Sequence, residues 1–411
     1  MYRINKISFK KMEQAKTSIP LMAIMMSLTA LSIDIMLPAL SFIGTEFALV
    51  DLNNSQLIIS MFFLGMAIGQ IFYGPMSDSI GRKPTVYIGF GVFIVATIIC
   101  LFSQSLLPML IGRVLQGIGL SANRIVCMAI IRDTYSGDHM ARIMSFVMSI
   151  FILVPILAPA FGQAVLFFWH WRVIFWVLLL LASLTTLWFT LRQKETLAEA
   201  NRLQFSLRKV FLVMKEISSH KLARNFTLIQ GCLTGMFLSY LNSIQQILQE
   251  VYEVGDRFAL WFGVLAVSVG VASVVNARLV LRYGMYKMVL VGLWITSVLA
   301  VLFVSYLLLI NVEVPFWAFI AFLFIILFHA GILMGNLNAI IMEPLGHIAG
   351  TAASVVGAVS TFISIPIGFV VGQYYNQTIL PLCIGITILF SFSLFIYINT
   401  VPRKGNSAVA M

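Results

Sequence analysis

Twelve stretches of about twenty apolar residues follow one another along this chain, at about 19–43, 55–74, 85–104, 106–131, 141–164, 171–191, 225–250, 258–280, 288–310, 315–341, 350–374 and 379–399. Runs of that length match the hydrocarbon core of a bilayer. Lipid offers the backbone no hydrogen-bond partner, so each run must satisfy its own peptide groups as a helix. A membrane β-barrel would show short alternating strands, and these uninterrupted runs exclude it. Only 10% of the residues are charged and 60% are hydrophobic, against about 25% charged in an ordinary soluble domain. The fold class expected is an all-α polytopic membrane protein with twelve transmembrane helices.

The net charge of +11 raises nucleic acid as a partner, and its distribution removes it. With the N-terminus inside, every Lys and Arg except Arg113, Arg124, Arg172 and Arg257 falls on the cytoplasmic side. These include Arg3, Lys6, Lys10, Lys11 and Lys16 before the first run and Arg403 and Lys404 after the last. The excess is therefore a topology signal that puts both termini in the cytoplasm. The first run is too long for a signal peptide and reads as a retained helix. Cys100, Cys127, Cys232 and Cys383 lie in apolar runs without metal-ligand spacing, so neither disulfide, metal nor cofactor is expected.

Residues 192–224 form the only long polar stretch. They separate a six-helix bundle over 1–191 from a second over 225–411. Within the linker, Leu203, Leu207, Val210, Phe211 and Met214 recur at helical spacing, which predicts a short amphipathic helix on the cytoplasmic surface.

Between the second and third runs lies Gly74-Pro75-Met76-Ser77-Asp78-Ser79-Ile80-Gly81-Arg82-Lys83-Pro84. It reads as a polar loop in which Gly74 and Gly81 permit tight turns and Pro84 starts the next helix. The stretch from Ala277 to Lys287 repeats its spacing in the second half. Gly284 stands for Gly81 and Leu281 for the aspartate, a weak internal repeat.

Charges inside the runs single themselves out. Asp34 lies about 21 Å along a helix begun at Pro20. An acid near a helix centre costs about 2.5–3.5 kcal/mol to insert. Asp34 therefore either reaches the outer interface or serves as a proton carrier or cation ligand. Arg113 sits about seven residues inside the outer end of the fourth run, with Gln116 one turn on. It either satisfies backbone carbonyls or acts in coupling. Arg124 shares its face and reads equally as a headgroup contact or a ligand site. Pro155 and Pro159 predict a bent fifth helix, with Gly162 beside them for close packing. Asn242 and Gln245 share one helical face, as do His329 and Asn336, and each pair either lines a cavity or bridges helices.

These residues together resemble the major facilitator superfamily, and within it the Bcr/CflA drug:H+ antiporters. Gly74-x-x-x-Asp78-x-x-Gly81-Arg82-Lys83 resembles the family's signature loop, with Ser79 where a second arginine is frequent. Arg113-x-x-Gln116-Gly117 resembles the fourth-helix motif associated with proton coupling. The Pro155–Gln163 stretch resembles the antiporter motif, with Ala158 and Gln163 where glycines are usual. Leu31–Leu40, Ile131-Arg132-Asp133-Thr134-Tyr135 and Met144–Met148 complete the likeness. The resemblance implies a central cavity between two bundles, alternating access and proton-driven export of amphipathic small molecules from a bacterial inner membrane, by a monomer. It assigns proton coupling to Asp34 and Arg113, and conformational gating to Gly74, Asp78, Gly81, Arg82, Lys83, Arg132 and Asp133. Export of one metabolite, such as a siderophore or amino acid, is the nearest alternative. No Walker A sequence and no nucleophile–base arrangement is present, so an enzyme is not expected.

Overall fold

The structure is a computed structural model that describes residues 19–310 and 314–401. The basic residues at 3–16 and 403–404 lie outside the described residues.

Helix after helix follows the apolar runs. α1 covers Ile19–Glu46 with an interruption in its middle. Then come α2 (Leu57–Ile80), α3 (Arg82–Leu101), α4 (Leu106–Thr134), α5 (Gly137–Phe168) and α6 (Arg172–Arg192). α7 (Leu207–Ser219) is short, and α8 (Lys221–Gln246), α9 (Phe258–Tyr283), α10 (Met285–Ile310), α11 (Phe316–Met342), α12 (Ala349–Gln373) and α13 (Leu380–Thr400) complete the chain. There is no strand among the described residues. Among the described residues, eleven helices are long and apolar enough to cross a membrane. α8 is the long helix that falls short of that measure. Its Thr227, Ser239, Asn242, Ser243, Gln245 and Gln246 are buried, so much of this helix meets protein and escapes the demand for apolarity that lipid imposes.

The chain divides into two compact units, Met1–Leu207 and Arg208–Met411. Both use the same packing scheme. In the first, α2 and α3 lie on α4, and α3 also lies on α6. In the second, α9 and α10 lie on α11, and α10 also lies on α13. Small residues set the closest seams. A Cβ on Gly65 would fall 1.9 Å from the Val114 carbonyl oxygen, and one on Gly117 would fall 2.0 Å from that of Phe62.

Two expectations need correction. The stretch expected as a loop from Gly74 is helical through Ile80, and only Gly81 turns the chain, at φ 105 and ψ 165. Gly74 and Pro75 are accommodated inside α2, where the Ser77 hydroxyl donates to the Gly74 carbonyl at 3.0 Å. In the second unit Gly284, at φ 78 and ψ 153, makes the equivalent one-residue turn between α9 and α10. The linker helix also starts later than its pattern implied. Its buried stripe is Val210, Val213 and Ile217, while Phe211 and Met214 are exposed. Leu203 precedes the helix, and its N–H donates to the Asp78 carbonyl.

Candidate functional site

The interruption of α1 follows from Pro38. Proline has no N–H, and the carbonyl it would have served is that of Asp34, four residues back. Regular helix ends at Asp34, a turn covers 35–36, a 3-10 turn spans Leu37–Ala39, and helix resumes at Leu40. The Met36 N–H goes to the Ile33 carbonyl at 3.4 Å, which leaves the Ser32 carbonyl without its usual helical donor. Arg113 supplies one. Its Nη1 donates to the Ser32 oxygen at 3.1 Å. Gly162 of α5 closes on the same break, since a Cβ there would lie 2.3 Å from the Ile35 carbonyl oxygen and 2.9 Å from Pro38 Cγ. Pro155 and Pro159 lie within a helix that runs unbroken from Gly137 to Phe168.

Asp34 is buried, at 4% exposure. It has no hydrogen bond or ion pair among the described residues. Arg113 is fully buried, yet the two form no ion pair. The arginine takes backbone carbonyls, as one of its two readings required. Nε donates to Ile58 at 2.9 Å, and Nη1 also donates to Gln116 Oε1 at 2.9 Å. Gln116 Nε2 in turn donates to the Thr97 hydroxyl at 2.9 Å. The guanidinium lies 4.5 Å from the centre of the Phe62 ring, a cation–π distance. Nη2 is buried with no partner among the described residues. Arg113 thus connects α2, α3 through Gln116, and the carbonyl two residues before Asp34.

A second cluster gathers around the one-residue turn at Gly81. Arg82 bonds Asp78 through Nη1 at 2.6 Å and Asp133 through Nε at 2.9 Å, and reaches the Ser77 hydroxyl at 3.0 Å. Two carboxylates from α2 and α4 therefore converge on one largely buried guanidinium. Glu195, beyond α6, completes the cluster. It accepts the backbone N–H groups of Arg82 and Lys83 at 3.0 and 2.9 Å, and those of Thr196 and Leu197 at 2.9 and 3.0 Å. The first two are the free donors at the start of α3, which Gly81 has no side chain to cap. Burial pushes the Glu195 carboxyl up, but the backbone donors outweigh it and hold the group below the usual carboxylate value. The Thr196 hydroxyl donates to Asp133 at 3.0 Å. Lys83 Nζ reaches the Thr190 carbonyl at 3.4 Å. Arg132 is exposed and has no hydrogen bond among the described residues.

In the second unit Asn336 bridges helices, donating to Asn276 of α9 at 2.8 Å and to the Ile332 carbonyl at 2.9 Å. Asn242 donates to the Gly368 carbonyl of α12 at 3.0 Å. Gln245 is buried. His329 is half-buried, its Nδ1 donating to the Ile325 carbonyl at 2.9 Å. Arg124, in the first unit, is exposed and has no hydrogen bond or ion pair among the described residues. No group of His, Cys, Asp and Glu that could hold a metal occurs among the described residues.

Sequence reasoning named Asp34, Arg113, Gln116, Asp78 and Arg82 but passed over Pro38, Ser32, Thr97 and Glu195. Pro38 carried a signal, because its i−4 residue is Asp34. Glu195 carried none, since Arg82 and Lys83, whose N–H groups it caps, lie more than a hundred residues away.

Long apolar helices, in two units that repeat one packing scheme, define a multi-pass helical membrane protein. The profile of the Major Facilitator Superfamily matches residues 22–368, and the chain belongs to that family. Among curated proteins it is 26% identical over 362 residues to an uncharacterized MFS-type transporter, YdgK, of Bacillus subtilis, covering 87% of this chain and 88% of that one. It is also 26% identical over 383 residues to a bicyclomycin resistance protein homolog of Haemophilus influenzae, covering 90% and 93%. The multidrug resistance protein MdtL of Escherichia coli matches at 26% over 253 residues, or 60% and 62%. Among solved structures, a D-xylose–proton symporter superposes with a TM-score of 0.71 at 13% identity, over 94% of this chain and 98% of that one. The human organic anion transporter MFSD10 superposes at 0.67 and 16% identity, over 93% and 99%. At those identities the structures speak for the fold alone.

Proposed function

We propose that this chain is a proton-coupled antiporter of the inner membrane, with both termini cytoplasmic, that exports amphipathic small molecules by alternating access. The observation that carries the reading is Asp34: a buried acid, unpartnered among the described residues, at the point where α1 breaks. A carboxylate with no fixed counter-ion is free to exchange its partner between a proton and a substrate group. Arg113 acts on it indirectly, by holding the Ser32 carbonyl and so the end of the helix that presents Asp34. Gly162 allows α5 to follow the same break. The Arg82 cluster, with Asp78, Asp133 and Glu195, sets the balance between conformational states from the cytoplasmic rim. The family membership supports transport, and the relatives' names, bicyclomycin resistance and multidrug resistance, support export of drug-like compounds.

In the cycle, Asp34 loses its proton to the cytoplasm as substrate binds, and takes another from outside as substrate leaves. One charge moving inward adds about 2.3 kcal/mol per 100 mV. The test is substrate–proton exchange in proteoliposomes by wild type and Asp34→Asn. The amide keeps the side chain's shape and cannot exchange a proton, so driven efflux stops while the protein still folds and inserts. Undiminished proton-driven efflux by Asp34→Asn overturns the assignment. A panel of labelled compounds, with and without an uncoupler, separates a broad exporter from an exporter of one metabolite.

A further inference from the structure

In the second unit, α9 and α10 both pack on α11 and touch each other little. A groove of about 300 Å³ lies between them. Val275 and Leu279 of α9 and Val291 and Ile295 of α10 wall it, and Phe328 and Ile332 of α11 floor it. Its surroundings are exposed and apolar: Val274, Trp294 and Val298 each show two-fifths or more of their surface. In a membrane protein such a face meets acyl chains.

One end of the groove is different. Tyr283 and Lys287 line it there, beside the turn at Gly284. Lys287 Nζ lies 5.2 Å from the centre of the Tyr283 ring, and the Arg282 guanidinium lies 5.3 Å from the same ring. In the first unit the arginine after the matching glycine turn is neutralised by Asp78 and Asp133. At this turn the aspartate position is Leu281. Neither Arg282 nor Lys287 has an ion pair among the described residues. Glu343, at the end of α11, is engaged by the Tyr286 hydroxyl at 2.7 Å. Lys287 therefore stands at the mouth of an apolar channel, with Arg282 against the same Tyr283 ring and no counter-ion to either among the described residues. From Lys287 to Ile295 that channel runs about 12 Å along α10, close to one leaflet of a hydrocarbon core of about 30 Å. His329 closes its deep end.

We propose that the groove binds one anionic phospholipid, with the phosphate at Lys287 and Arg282 and an acyl chain along the groove toward His329. Juxtamembrane Lys and Arg attract anionic headgroups, and the apolar walls supply the tail contact. A zwitterionic lipid of equal chain length has the tail but lacks the net charge.

Native mass spectrometry of the full chain in detergent, titrated with phosphatidylglycerol or phosphatidylcholine of identical chains, tests this. Wild type retains one phosphatidylglycerol on the order of tenfold more tightly than phosphatidylcholine. The double variant Arg282→Gln/Lys287→Gln loses that preference, whereas Arg208→Gln/Lys209→Gln, on α7, keeps it. Ile295→Trp fills the groove and releases lipid of either headgroup. Equal retention of the two lipids by wild type overturns the proposal, as does a preference that survives the Arg282/Lys287 change. If Ile295→Trp does not fold, Val291→Trp serves, and the charge variants decide the matter by themselves.

Discussion

Replacing Glu195 by alanine removes an acceptor shared by four backbone donors. Two of them, on Arg82 and Lys83, open α3, and Gly81 before them is held at φ 105 by the one-residue turn. Loss of a helix cap costs about 0.5–2 kcal/mol. Hydrogen bonds to a charged group are stronger than neutral ones, but Glu195 is only half-buried, and water recovers part of the loss. A local cost of about 1–2 kcal/mol follows, or a factor of about 5–30 in the opening equilibrium. The segment that opens is the one tied here: the start of α3, Thr196 and Leu197, and Leu203 on the Asp78 carbonyl. Hydrogen exchange read by mass spectrometry on protein in nanodiscs measures that opening directly. Protection over residues 82–85 and 195–203 falls by that factor in Glu195→Ala and by less in Glu195→Gln, which keeps one acceptor oxygen. The effect depends on pH in a defined sense. The folded carboxyl titrates below its ordinary value of 4.5. Its contribution is therefore complete above about 4.5 and disappears as pH falls through the folded value. Unchanged protection in Glu195→Ala at neutral pH would falsify the capping role.

Two further outcomes are expected. Arg113→Ala leaves the Ser32 carbonyl and Gln116 without a buried donor and should destabilise by about 1–3 kcal/mol for each acceptor left unsatisfied; Arg113→Lys retains the charge but not the fork and should recover part of both yield and transport, measured by fluorescence-detected gel filtration beside exchange assays. Gly117→Leu forces a side chain against the Phe62 carbonyl, so the α2–α4 seam should fail and folded protein should be lost, whereas Gly91→Leu, where a Cβ meets open space, should be tolerated in the same assay.

The sequence disclosed the helices because lipid forbids alternatives. Each apolar run had to be a helix about as long as the bilayer is thick, and predicted and observed ends differ by a few residues except at α2, which runs on from the expected end at Gly74 to Ile80. It also disclosed Asp34, Arg113 and Arg82, because a charge in or beside hydrocarbon is conspicuous whatever surrounds it. Two kinds of local signal misled. Gly74-Pro75 has the composition of a turn, yet the helix runs through it to Ile80, since a proline removes only the bond to the carbonyl four residues back, that of Ile71. Leu203, Phe211 and Met214 share a helical spacing with Val210, but only Val210 among them is buried. An amphipathic pattern beside a membrane has two apolar phases to face, and spacing alone does not say which residue faces which.

What stayed hidden depends on contacts between distant segments. Asp34 and Arg113 invite pairing on paper, since opposite charges in one half of a membrane are expected to meet. The structure instead routes the arginine to the carbonyls of Ser32 and Ile58. The cause lies in Pro38, which ends the regular helix at Asp34. With the chain turned at 35–36, Met36 donates to Ile33 and the Ser32 carbonyl is left needing a donor. Arg113 meets that need, and Gly162 lets α5 approach the exposed backbone of Ile35. An arginine that holds the backbone beside an acid can change the acid's position without forming a salt bridge to it. Substitutions at Pro38 or Gly162 should therefore disturb coupling through geometry, with Asp34 and Arg113 both intact. Pro38→Ala is the sharpest case. Restoring the N–H lets α1 run on through Asp34, withdraws the Ser32 carbonyl from Arg113, and should reduce proton–substrate exchange in proteoliposomes at least tenfold while thermal stability holds or rises. Exchange at the wild-type rate in Pro38→Ala would show that the break does not matter to coupling.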